Sequence, residues 1–135
     1  DVHALHGVVL CCGLFYLNSS QQALQFVKQV RARVINDNDD QISVNREVAS
    51  RINGWQIEEP HQVPFRDTTF TTSNEIMKSI AKCEGDNLNI CVLPHHLFPR
   101  LVERISEDVY IAHPLSGKTL DEKILCLTNL GIWWA

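Results

Sequence analysis

Two groups of residues in this chain have the types and spacing to do chemistry. The first is AHPLSGKT, Ala112 to Thr119, a small residue, four others and then Gly-Lys-Thr, which is the loose outline of a phosphate-cradling loop. Its amides and Lys118 would face an anion, and the amino end of a following helix would add its dipole. The second is a set of histidines, His95, His96 and His113, each placed just after an apolar run that reads as a strand. Imidazoles titrate near neutrality and can serve as general acid, general base or metal ligand.

Three features argue against a nucleotide on the loop. Only 16 residues follow Thr119, too few for the further strands and the metal-holding acid that such a hydrolase needs. Asp121 and Glu122 fall in the first helical turn, where they would repel a phosphate. Pro114 and Leu115 stand where backbone must approach the ligand closely, and the loop has one glycine. Thr119-x-x-Glu122 is accounted for as a capping box and Ser116-Gly117 as a turn. A lesser role remains, with Ser116 and Lys118 as ligand-binding groups beside the histidines, joined by Asp67 and Thr68.

The histidines can form one site only if the elements before them end at one edge. NLNICVL (Asn87 to Leu93) and DVYIA (Asp108 to Ala112) read as strands, and HLFPRLVERI (His96 to Ile105) as the helix between them. A strand, helix, strand crossover is right-handed and parallel, so both strands would deliver their histidines to one carboxyl edge, where open sheets bind ligands. For metal, the spacing lacks a helical His-x-x-x-His pair; for nucleophilic catalysis, no Gly-x-Ser-x-Gly is present.

Upstream, Val8 to Leu17 is continuous and apolar, as in a strand covered on both faces. Ser19-x-x-Gln22 reads as a capping box for a helix with Ala23, Phe26, Val27, Val30 and Val34 on one face. Ser43 reads as the cap of a second helix, closed by Asn53-Gly54. Pro60 and Pro64 punctuate the stretch from Trp55 to Phe70, so any strand there is short or lies at an edge. Thr72-x-x-Glu75 reads as the cap of a helix with Ile76, Met77, Ile80 and Ala81 inward, and a last helix starts at Thr119. The expected fold is a single three-layer α/β domain over residues 1–135, with a short, mostly parallel sheet and about five helices; α+β is the alternative. The opening on Asp1 suggests a segment of a longer chain.

Composition narrows the partners. Sixteen acidic against twelve basic residues give a net charge of -4, which argues against nucleic acid. The helix SVNREVASRING has the look of the first helix of a helix-turn-helix, but Glu58, Glu59 and Pro60 follow where a recognition helix should stand. NDNDD lacks the glycine and terminal glutamate of a calcium loop. GVVLCCGLFYL is too short to cross a bilayer, and five cysteines without a Cys-x-x-Cys pair point to a reducing compartment. At the far end, Ile132, Trp133 and Trp134 follow Gly131 at a terminus, and two indoles carry some 400 Å2 that water disfavours.

The sequence therefore leads to a cytoplasmic binding or regulatory module without cofactor or metal. It would contact a protein partner, or a second copy, through Ile132, Trp133 and Trp134, and hold a small-ligand cleft at the histidine edge. The alternative is a small enzyme using His95, His96 and His113 as acid and base on a small polar or phosphorylated substrate.

Overall fold

The structure, a computed structural model, describes residues 10–65, 67–84, 88–100, 104–114 and 119–132. Among these it holds three helices, α1 (Gln21–Asp37), α2 (Asp40–Arg51) and α3 (Leu120–Asn129). It also holds five strands, β1 (Ile52–Gln56), β2 (Pro60–Phe65), β3 (Thr68–Ser73), β4 (Met77–Ala81) and β5 (Cys91–Val92). The strands form one three-stranded sheet, β1-β4-β5, and one two-stranded sheet, β2-β3, and every pairing is antiparallel. The expected mostly parallel sheet with about five helices is thus overturned: the fold is a small mixed α+β one. The chain divides into two compact units, Asp1–Glu58 with Ile76–Val92, and Glu59–Glu75 with Leu93–Ala135. Among the described residues, no helix is long and apolar enough to cross a membrane.

In the first unit, Ser20 caps α1 in extended backbone, its hydroxyl accepting from the Ala23 amide at 3.1 Å. The cap lies one residue beyond the expected Ser19. Asn38 ends the helix in the left-handed region at φ 51°, and Asp39 at once caps α2 by accepting from the Ile42 amide. The NDNDD run is thus the joint of a helical hairpin. Two residues between helices force them to pack side by side in opposite directions. Ser43, expected as a cap, is instead fully buried inside α2, donating to the Asp39 carbonyl and the Asp37 carboxylate.

The core of this unit is Phe26, Val48 and Ile52, with Leu10, Val30, Val44, Trp55, Leu88 and Ile90 packed against it. Glu47 on α2 is buried and is answered by two cations. Arg33 of α1 donates to Oε2 at 2.8 Å and Arg51 of α2 to Oε1 at 2.7 Å. Each carboxylate oxygen has its own guanidinium, so the helices are tied together by charge as well as by apolar contact.

The apolar run before α1 does not form the expected strand. From Leu10 on it pairs with no strand; the side chain of Asn45 accepts from the Leu10 amide at 2.7 Å and donates to the Leu10 carbonyl at 2.8 Å. One amide side chain thus takes the place of a neighbouring strand's backbone. Leu14, Phe15, Tyr16 and Leu17 that follow are exposed.

After α2 the chain passes straight into β1, which pairs Trp55 with Ser79 and Gln56 with Lys78 of β4, across a register shift between Ile52 and Gly54. Met77 to Ala81 had been expected in a helix. Its apolar residues fit either period, but five residues alternate better than they spiral: Met77 is buried, Lys78 exposed and Ser79 half-buried.

In the second unit, β2 and β3 pair over their whole length, from Pro60 with Ser73 to Phe65 with Thr68. Thr72 lies inside β3, which overturns the expected capping box at Thr72 and Glu75. A run of β-branched threonines favours the pleated surface, and in a two-stranded sheet Pro60 and Pro64 can leave their missing donors at a free edge. The helix expected over His96 to Ile105 begins instead as a turn, the Leu97 and Phe98 amides both reaching back to the Pro94 carbonyl, while 101–103 lie outside the described residues. Leu97 and Pro99 then spend their carbonyls on Tyr110, Ile111 and His113.

That last pattern corrects the expected strand at Asp108 to Ala112. The Ile111 amide meets the Leu97 carbonyl and the His113 amide meets the Pro99 carbonyl, so the two short segments run in the same direction. A parallel ladder alternates its donors between strands, and the bond due from residue 99 cannot form because Pro99 has no N–H. Among the described residues the pairing is a fragment.

Helix α3 starts as the sequence indicates. Thr119 accepts from the Glu122 amide, and the Glu122 carboxylate accepts from the Thr119 amide at 2.9 Å, a complete capping box. It ends at Gly131, φ 71°, with the Gly131 amide on the Thr128 carbonyl and the Ile132 amide on the Leu127 carbonyl.

Candidate functional site

The second unit carries the histidines in two places. The first is the open end of the β2-β3 hairpin. Ser73, the last residue of β3, accepts from the His95 amide at 2.8 Å, while His61 stands on β2 opposite Thr72. The backbone thereby brings His61 to the same end as His95 and His96. The His95 imidazole is held below its ordinary value near 6.5, first by burial and then by the charges His61 and His96 would carry. It favours the neutral form at neutral pH.

The second place is built on the paired fragment at Pro99. His113 is fixed through its backbone to the Pro99 carbonyl, and Arg100 reaches its ring, Nη1 to Nδ1 at 2.8 Å. A guanidinium can only donate, so Nδ1 accepts and the neutral ring carries its proton on Nε2. Burial, then Arg100, then Lys123 of α3 hold this histidine below the ordinary value as well. Phe98 and Tyr110 brace the same fragment edge to face, with ring centroids 5.9 Å apart.

The structure thus keeps His95 and His96 together, adds His61, and gives His113 different company. His61 and His96 act on the charge of His95, and Arg100 and Lys123 act on that of His113. Asp67 and Thr68 lie at the other end of the hairpin. Thr68 and Ser73 are five residue steps apart along β3, roughly 16 Å at the usual rise, so Asp67 and Thr68 do not join His95. Ser116 and Lys118 lie outside the described residues, as do Trp133 and Trp134; Ile132 is half-buried. The parallel edge expected to gather these groups has no sheet behind it.

Chemically, neither place is a ligand set for a metal. Among the described residues no group of three or more His, Cys, Asp or Glu side chains is arranged to hold one. What His61 and His96 bring to His95 is a like charge that disfavours its protonated form, and what Arg100 gives His113 is a fixed tautomer. His61 and Arg100 are the participants that sequence reasoning missed. Only the backbone bond to Ser73 and the Pro99 fragment bring them in, and neither has a local signature.

Comparison of the chain with known families, with curated proteins and with solved structures finds no match.

Proposed function

We propose that this chain is a protein-interaction module rather than an enzyme. The observation that carries this reading is the run Leu14, Phe15, Tyr16 and Leu17, four successive large apolar residues at 43, 64, 88 and 39 % exposure. Isolated surface apolar residues are ordinary, but a contiguous patch costs solubility and marks a contact surface. The terminal Ile132, Trp133 and Trp134 add a second apolar segment in sequence. The acid-base alternative needed His95, His96 and His113 at one edge, and the candidate small-ligand cleft needed the same parallel edge; neither is retained.

A cytoplasmic setting fits this reading, because Cys83, Cys91 and Cys126 are free thiols. The net charge of -4 supports a protein partner over nucleic acid. The test is a photo-reactive phenylalanine analogue placed at Tyr16, with a control at Glu58, irradiated in extract of the source cells. Discrete, saturable adducts from position 16 and none from position 58 are the expected result. Equal or absent labelling at the two positions would remove the reading's support.

A further inference from the structure

We propose that the exposed face of α1 docks an acidic, apolar-flanked segment of a protein partner, a refinement that rests on the interaction reading above. Helix α1 has two apolar faces. Ala23 and Phe26 are buried with Val30 and Val34 beside them, whereas Leu24, Val27 and Ile35 are exposed at 47, 41 and 79 %. At about 100° per residue, Leu24 and Ile35 lie within roughly 20° of one another on the helix surface. Arg31 falls between them, and Val27 and Lys28 flank the stripe. From Leu24 to Ile35 the stripe is about 16 Å long.

Charge decides the occupant. Gln21 to Asn36 contains Lys28, Arg31 and Arg33 and no acidic residue. Arg33 is turned to Glu47, which leaves Lys28 and Arg31 on the exposed side. A second copy docking through the same face would set cations against cations, since a two-fold contact matches the patch to itself. A bilayer accepts cations at the borders of an apolar helix face, where they reach the headgroups, but Arg31 sits at the centre. A partner that brings a carboxylate between aliphatic side chains answers both features, pairing Arg31 in a desolvated centre while covering Leu24, Val27 and Ile35. A face this short buries an area at the low end of specific interfaces, which suits a transient contact.

The whole chain is titrated by fluorescence anisotropy with two labelled helical peptides that share a leucine face, one bordered by glutamate and the other by lysine. The expected result is saturable binding of the glutamate peptide and at least about tenfold weaker binding of the lysine peptide. Arg31→Glu with Lys28→Glu should reverse that preference, and Leu24→Ser with Ile35→Ser should weaken the glutamate peptide about tenfold, circular dichroism remaining unchanged. Equal affinity for both peptides, no binding of either, or indifference to these substitutions would overturn the proposal. So would binding to phosphatidylserine vesicles, or a dimer seen by sedimentation, that depends on the same residues. If the Tyr16 adducts persist while the peptide results fail, the interaction reading stands and only the assignment to α1 falls.

Discussion

Removing the Glu47 carboxylate should unlock α1 from α2. Its side chain is 5 % exposed and meets Arg33 and Arg51 at 2.8 and 2.7 Å, one oxygen each. A hydrogen bond to a charged group contributes about 1.5–3 kcal/mol, and the lower end applies here because the Arg33 and Arg51 side chains keep 40 and 22 % of their exposure. Two such bonds give about 3 kcal/mol for Glu47→Ala, roughly two orders of magnitude in the folding equilibrium. The two arginines should not be equivalent. Arg51 is less exposed and also stands over the Phe26 ring at 6.0 Å, so Arg51→Ala should cost more than Arg33→Ala. Replacing all three with methionine should recover much of the loss, since no buried charge is then stranded. Urea unfolding followed by far-ultraviolet circular dichroism reads each value, and with a slope of about 1.5 kcal/mol/M Glu47→Ala should lower the midpoint by about 2 M. A loss under about 1 kcal/mol for Glu47→Ala, or equal costs for the two arginines, would refute the argument that this buried anion ties the helices.

Asn45→Ala should cost about 1–3 kcal/mol and speed amide exchange at Leu10, because that residue's donor and acceptor both lose their partner; unchanged exchange would contradict the clamp. Gly131→Ala should cost about 1 kcal/mol through left-handed strain alone, as an added Cβ meets nothing within 4 Å; a neutral or stabilising result by thermal unfolding would contradict this. An NMR titration should place His113 below 6.5, and Arg100→Met should move it upward. The lowered value in the folded state means that the unfolded chain binds the proton more tightly, so this histidine's contribution is complete above about 6.5 and is lost as pH falls through its folded value. Stability that rises on acidification across that window would run against the assigned sign.

What the sequence by itself determined is local. The 3.6-residue spacing of Ala23, Phe26, Val30 and Val34 drew α1, although Val27, expected on the same face, is exposed, and Thr119 with Glu122 and Gly131 drew both ends of α3, because caps act within one turn. Cap position slipped where neighbours compete: Ser20 displaced Ser19, and Asp39 displaced Ser43, each being equally able to accept an orphan amide. The partner of each strand was decided only in three dimensions. Apolar spacing in Met77 to Ala81 serves a helix or a strand, and β1 settles the matter from more than twenty residues away. The run ending at Leu17 had the composition of a buried strand, yet Asn45 takes the Leu10 backbone and no sheet edge receives the rest. The site followed the same division. That His95 and His96 are neighbours is written in the chain, whereas His61 joins them through Ser73, and His113 is drawn to Arg100 by the paired fragment at Pro99. Hydrogen bonds between distant backbones depend on which surfaces bury first, and that choice belongs to the whole core.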